Sequence, residues 1–474
     1  MTIDNCQLTI KKSTQISPSI ESGRCSQRFI RYSLHSPLII FSDFLAELNS
    51  GNPQTQGSLT TDALIWERGG QQYVLSLDDV VGAAIAPNSP ERSFAIFAYP
   101  LTQVGIFRRW RRMRREYRFI CQDDRTCHRW VCAINNTLRG VLDVEAVLPP
   151  RHLHVILNPA SGNQNPRKIF DRASKLLAAS QIQWTLTETQ AGGDAREIAR
   201  NLPLDDIDGL VIVGGDGTIH EAINGLMSRT DWKRAIEIPI GTIPAGTGNG
   251  LSKTVLEMAG EPDDALSAAF IIAKGGVRSF DLIRVRQKNR CYYSILSLAW
   301  GLVSDVDIES ERLRWLGSVR SDLYALLRIL KLRTYRGRFS FRPPVSPSSN
   351  SDPNLNPNLE WQTIEDEFVL VWAMNLPWVA GDKKGAPDIR ADEEAMGVVV
   401  VRQGTSRWQL LQGLLQIADG SHIEVPGIEF YKVCELELEP LSSQGTVAVD
   451  GEKVDYAPVK MDVFNDPIRV FCRH

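Results

Sequence analysis

Gly209-Leu-Val-Ile-Val-Gly-Gly-Asp-Gly-Thr-Ile-His-Glu-Ala-Ile-Asn-Gly-Leu-Met227 decides the fold. An apolar run without polar alternation, Leu210 to Val213, enters the turn Gly214-Gly-Asp-Gly217. A helical pattern carrying His220 and Glu221 follows, expected over 220–228. A strand apolar on both sides fits a parallel sheet covered by helices. Working outward, the same order recurs. His154-Val-Ile-Leu leads into Asn158-Pro-Ala-Ser-Gly162 and a helix expected over 166–179. Ile238-Pro-Ile-Gly-Thr-Ile leads into Pro244-Ala-Gly-Thr-Gly-Asn249 and a helix near 250–258. A strand from Trp184 and a helix over 194–201 lie between them. Strands and helices alternating at these lengths form an α/β domain with a parallel sheet.

All three glycine turns sit where a strand ends and a helix begins. Free backbone N–H groups and the positive helix end suit phosphate there, and glycine lets the backbone come close. One such turn is only a turn, but three at the ends of parallel strands converge on one edge. The Walker pattern and the protein kinase signatures are absent, so no P-loop lysine holds the nucleotide. Asp216 sits among the glycines of the second turn. A carboxylate there can accept a hydroxyl proton in phosphoryl transfer, or can cap a helix.

The rest of the chain divides by composition. Residues 1–25 are rich in Ser, Thr and Gln and are expected to be a disordered tail. Residues 26–148 carry short β-branched or aromatic runs closed by a helix over 126–138 with Trp130, Ala133, Ile134 and Leu138 on its apolar stripe. The α/β pattern occupies 149–283, and a β-rich domain is expected over 284–474. Within it, 305–332 has one long helical pattern, and a Pro/Ser/Asn-rich mobile insert is expected at 343–362. A helix from Trp408 to Ile417 has Trp408, Leu411 and Leu415 on its expected apolar side.

Composition excludes several classes. Apolar residues make up 43% and charged residues 23%, the balance of a folded soluble chain. A net charge of -3 argues against a nucleic-acid polycation. The eight cysteines are scattered without a Cys-x-x-Cys pair, so reduced thiols in the cytoplasm are expected. No signal sequence, membrane span or lipidation motif is evident.

Three quoted segments, Val213 to Met227, Pro244 to Asn249 and Asp450-Gly-Glu452, resemble the diacylglycerol kinase catalytic superfamily. Leu296-Ser-Leu-Ala-Trp-Gly-Leu-Val-Ser-Asp-Val-Asp-Ile-Glu-Ser-Glu311 and Leu332-Arg-Thr-Tyr-Arg-Gly-Arg338 are similar to the sphingosine kinases within it. The resemblance runs from about His154 to the C-terminus. It implies a three-layer α/β nucleotide-binding domain followed by a β-sandwich lipid-binding domain, with ATP and Mg²⁺ as cofactors. It implies Asp216 as catalytic base. Asn158, Pro159, Ala160, Thr189, Gly214, Gly215, Gly217, Glu221, Gly246, Thr247, Gly248, Asp450, Gly451 and Glu452 would surround the nucleotide, and Arg314 and Arg320 would reach its phosphates. Asp307 would hold the amine of a long-chain base. Leu302, Trp408, Leu411 and Leu415 would line the path of its chain. Among the acids, Asp216, Glu221 and Asp450 are candidates for the metal, and the sequence does not choose between them.

Paired guanidinium groups suit phosphate charge, and an acid beside an apolar cavity suits an ammonium partner. The N-terminal strands and closing helix resemble a pleckstrin-homology-type β-barrel. Arg108-Arg-Trp-Arg-Arg-Met-Arg-Arg115 within it has the composition of an anionic-membrane contact, implying a cytoplasmic, peripherally membrane-associated protein. A diacylglycerol or ceramide kinase is the alternative, distinguished by Asp307, since a neutral head group does not need that acid. An NAD kinase and a catalytically dead lipid-binding adaptor are the more distant readings.

Overall fold

The structure is a computed structural model that describes residues 38–47, 55–85, 92–106, 108–162, 165–310, 319–344 and 360–473. The expected tail at 1–25 and most of the insert at 343–362 lie outside these residues; the strand Gln362–Met374 takes up the end of that insert.

Among the described residues, the N-terminal part has seven antiparallel strands in one sheet and a separate hairpin, Leu101–Val104 with Arg109–Arg112. Ile39–Glu47 pairs with Thr55–Thr60 on one side and with Arg115–Ile120 on the other. The helix Asp124–Leu138 closes the assembly and is capped by Asp123, whose side chain accepts from the Thr126 amide. Its Trp130 is fully buried, edge-on to Phe41 at 4.6 Å between ring centroids. The aromatic and apolar pattern read from the sequence is therefore a separate core.

The parallel sheet has the order Gln183–Glu188, His152–Leu157, Gly209–Gly214, Ile240–Pro244. Chain order reverses beside His152–Leu157, which places a crevice at the carboxyl ends of the strands. The glycine turns after His152–Leu157, Gly209–Gly214 and Ile240–Pro244 open onto that edge. The helix after the second turn is Asp216–Met227, so it begins four residues earlier than its apolar pattern suggested. Asp216 is its first residue, a position where an acid faces the positive helix end.

The β-rich part is a continuation of the same sheet. Val459–Phe471 pairs with Val277–Gln287 and Glu435–Pro440, and meets Ile240–Pro244 at Val470. One face of the β-rich part buries Trp300, Phe339 and Phe368. The other, with Leu370, Trp372, Val399 and Val401, packs against helices.

One expectation fails. Residues 305–332 are not a single helix. Leu302–Glu309 and Val319–Leu330 are separate helices, and 311–318 lie outside the described residues. In a continuous helix, Asp305 and Arg328 would stand about 35 Å apart. Instead they form a buried ion pair, and Tyr324 donates to Glu309 at 2.7 Å, because the two helices pack face to face. The periodicity was correct locally, but it carries no information about a chain reversal.

The N-terminal part joins the nucleotide lobe through Arg112. Its guanidinium, 2% exposed, pairs with Glu261 at 2.6 and 2.9 Å and with Asp79 at 2.5 Å, and lies 3.9 Å over the Phe270 ring. Arg112 is thus withdrawn from the surface that the basic run suggested. Arg112→Ala would leave the Glu261 carboxylate buried without its main partner. The expected loss is about 3–5 kcal/mol of unfolding free energy in denaturant titration.

Candidate functional site

The three turns meet through their backbones. Ala245 and Gly246 amides donate to Gly214 O at 3.0 and 3.1 Å. A Cβ on Gly246 would stand 2.3 Å from Gly215 Cα, and one on Gly162 would stand 2.6 Å from Ala245 O. Gly162 also has a left-handed φ of 56°. The glycines are therefore needed for turn-against-turn contact as well as for an approaching ligand. Asn158 ties the first turn to the second, its Nδ2 donating to Thr218 Oγ1 at 3.0 Å and its Oδ1 accepting from the Ala160 amide. Pro159 is half-buried and Ala160 exposed beside it. Thr189, buried at the end of the neighbouring strand, donates its amide to Leu157 O. Glu221 accepts from the Gly193 amide at 2.9 Å.

Asp216 accepts from the Gly250 amide at 3.0 Å and the Leu251 amide at 3.4 Å. It therefore caps the helix Gly250–Met258 across the crevice while starting its own helix. Burial pushes its carboxyl up to about 6, against the pull of those amides, and the charge of Asp450 adds to the rise. Such a group is a carboxylate at neutral pH yet basic enough to take a proton.

Asp450 has a different character. Its carboxylate accepts from Ser294 Oγ (2.6 Å), from the amides of Ile295, Leu296 and Ser297, and from His220 Nδ1 (2.8 Å). Burial pushes its carboxyl up, but His220 and these donors outweigh burial and hold it below the usual range. Asp450 thus locks the β-rich part onto the helix that follows the Gly-Gly-Asp-Gly turn. Gly451 lines the adjoining cavity, and a Cβ on Gly217 would meet Glu452 Oε1 at 3.2 Å.

A cavity of about 310 Å³ runs from this polar end into the β-rich part. Asp216, Thr247, Gly248, Asp450 and Gly451 border one region of it, and Leu370, Trp372, Val399 and Val401 another. Asp307, Leu302 and Arg320 all line it, as the sequence suggested. Among the described residues, the Nε and Nη1 atoms of Arg320 are buried without a hydrogen-bond partner, donors that are costly to leave unpaired. Arg314 lies outside the described residues.

The helix expected to wall the cavity is Arg407–Gln416, but its phase differs. Leu410, Gly413, Leu414 and Ile417 line the cavity, whereas Trp408 and Leu415 are each 71% exposed and Leu411 is not on the lining. Apolar residues lie almost all around this helix, so sequence periodicity could not select the inward stripe. The loop carrying Val379, Asp382 and Lys383 was also missed, although it contributes to the wall. Its signal was the glycine-bounded Gly381-Asp-Lys-Lys-Gly385, whose Gly381 amide donates to Gly248 O at 2.7 Å. Leu414→Trp is expected to overpack the cavity and weaken binding of an apolar ligand there about tenfold, read by titration, while Leu415→Trp leaves it unchanged.

No cluster of three or more His, Cys, Asp or Glu side chains suited to a metal occurs among the described residues. Also among them, no helix is long and apolar enough to cross a membrane.

Residues 152–285 match the family model for the diacylglycerol kinase catalytic domain, and 354–472 match the YegS C-terminal NAD kinase beta sandwich-like domain. A putative diacylglycerol kinase from Bacillus anthracis str. Sterne superposes with a TM-score of 0.52 at 22% identity, covering 69% of this chain and 99% of that one. Fold and site thus define a lipid kinase of the diacylglycerol kinase catalytic type with a C-terminal β-sandwich. Sphingosine kinase 1 of Arabidopsis thaliana is 37% identical over 332 residues, which cover 64% of this chain and 68% of the relative. Sphingosine kinase 1 of Homo sapiens is 36% identical over 65% of this chain and 87% of its own length. Sphingoid long chain base kinase 4 of Schizosaccharomyces pombe is 29% identical over 70% and 79%. The chain belongs to the sphingosine kinase family.

Proposed function

We propose that this protein transfers the γ-phosphate of ATP to the primary hydroxyl of a sphingosine-like long-chain base, giving the 1-phosphate. The observation that carries the reading is Asp216, a buried carboxylate held at about 6 where the converged glycine turns meet an apolar cavity. Asp216 accepts the hydroxyl proton as that oxygen attacks phosphorus. Backbone amides of the three turns and the unpartnered donors of Arg320 hold phosphate charge, with Arg314 as a second guanidinium. Asn158, Pro159, Ala160, Thr189, Glu221, Gly246, Thr247, Gly248 and the turn Asp450 to Glu452 shape the nucleotide side. Asp307 on the cavity wall favours a cationic amine over a neutral diacylglycerol or ceramide head group.

Mg²⁺ would offset phosphate charge during transfer. Asp450 has its carboxylate committed to five donors, so Asp216 or Glu221, with fewer donors each, would be the acid to hold the metal.

We read 26–148 as a pleckstrin-homology-like module, 149–283 as the ATP-binding domain and 284–474 as the lipid-binding domain. Seven strands closed by one helix support the first assignment. Exposed Ile106 and Trp110, beside exposed Arg109 and Arg111 on the hairpin Leu101–Val104 and Arg109–Arg112, support peripheral contact with an anionic bilayer from the cytoplasm.

Asp216 must be ionised to act. Activity should therefore rise with pH and level off above about 6, falling about tenfold per unit below it, in a kcat/KM profile. Asp216→Asn should lower kcat at least ~100-fold at every pH without unfolding the protein, as read by phosphate transfer from labelled ATP. Retention of full activity would remove Asp216 from the role of base. On a lipid panel, Asp307→Asn should raise KM for a long-chain base about tenfold and leave a neutral diacylglycerol unaffected. Equal losses on both lipids would favour the diacylglycerol or ceramide reading.

A further inference from the structure

A second cavity, of about 470 Å³, lies at the seam between the N-terminal module and the nucleotide lobe. The module's helix Asp124–Leu138, Arg139 and residues 146–148 form one side. The end of the helix Ala265–Lys274, with Gly275 and Gly276, forms the other. Among the described residues, three cations line it, Arg139, Arg151 and Lys274, and no Asp or Glu does.

Among the described residues, each cation is held by neutral carbonyls alone. Arg139 donates to Pro149 O at 2.7 Å, Arg151 to Ala273 O, and Lys274 to Leu77 O at 2.8 Å and Val80 O at 3.1 Å. Each arginine thereby uses one of five N–H donors. Arg151 approaches Gly275, where a Cβ would come within 2.3 Å of its Nη1. By contrast, the enclosed guanidinium groups of Arg112 and Arg328 face acids, Glu261 and Asp79 for the first and Asp305 for the second. The carboxylates that act on the seam cations at longer range have other partners. Asp208 accepts from the His152 amide, Asp79 pairs with Arg112 and Asp78 with Arg473. The negative end of the helix Ala265–Lys274 supplies roughly half a charge against three.

The imbalance is felt by the groups themselves. Burial and the charge of Arg139 push Arg151 down to about 10. Burial, followed by the charge of Arg473, pushes Lys274 down to about 8. A dianion in the cavity would offset both effects and use the remaining guanidinium donors.

We propose that this seam cavity binds a phosphate monoester, bridging Arg139 of the N-terminal module to Arg151 and Lys274 of the nucleotide lobe. The site is separate from the proposed ATP site, since none of its lining residues borders the cavity at Asp216. The phosphate can arrive on a soluble metabolite or on a lipid head group.

The test uses the full chain with its nucleotide site saturated by ADP and Mg²⁺. Inorganic phosphate and a soluble inositol phosphate are titrated by calorimetry. Phosphatidylcholine vesicles with and without phosphatidylinositol phosphate are compared by co-sedimentation. Saturable binding that Arg139→Gln weakens about tenfold is the expected result, with kcat in the absence of added phosphate unchanged. Arg139 is exposed, so its substitution keeps the fold; Arg151→Gln, at a more enclosed position, should weaken binding further. An Arg139-dependent loss seen only with soluble ligands identifies a metabolite, and one seen only with vesicles identifies a lipid head group. No saturable binding in either arm, or equal binding by wild type and Arg139→Gln, overturns the proposal.

Discussion

The contact of Gly215 with Gly246 is the constraint on which the rest of the molecule depends. Two strand ends approach so closely that no side chain fits between them, and Gly214 O accepts two amides from the opposing turn. That approach brings the amides of Gly250 and Leu251 within reach of the Asp216 carboxylate. One acid consequently serves two ends. It caps a helix, which favours its charge, and it is enclosed, which disfavours it. Enclosure wins and leaves the group at about 6. The sign matters for stability. An acid raised in the fold contributes most to stability below its unfolded value, near 4, and that contribution is lost as pH rises through about 6. The pH range that makes Asp216 a competent base is the range in which the fold gives up that contribution, a common trade at functional sites.

The α/β half was legible because local signals and fold agree there. Pro166–Ala179 and Gly250–Met258 fall where their apolar pattern and flanking turns put them, since Pro at the first helical position and Gly at a strand–helix turn have local causes. Asp216 was identifiable by its glycine turn, Asp307 and Arg320 were singled out only through the family resemblance, and all three border one cavity. The failures share a cause as well. Helical period says which residues can face together, not what they face. It joined Leu302–Glu309 to Val319–Leu330, and it chose the wrong side of Arg407–Gln416. Nothing near Arg112 in sequence marks Glu261 as its partner, so a basic run read as surface hides a buried joint.

Charge placement divides the interior into two regimes. Arg112, Arg328 and Asp450 are enclosed with well-matched partners and fix how the parts of the molecule sit together. Arg320 has buried donors left over, and among the described residues the seam cations meet carbonyls and no acid. Matched groups hold the structure, and cations with donors to spare are the ones the proposed phosphate roles draw on.

The strand Val459–Phe471 has a consequence for biosynthesis. It forms a long pairing with Val277–Gln287 and meets Ile240–Pro244, the strand that delivers the third glycine turn. A chain emerging from the ribosome therefore displays all three glycine turns long before the strand that flanks their sheet has been translated. The nucleotide lobe cannot finish folding as an independent early unit, and Phe280, Ile468 and Val470 of its core wait for one another across most of the length of the β-rich part. Phosphotransfer competence is acquired late, when the two ends of the catalytic region close on each other.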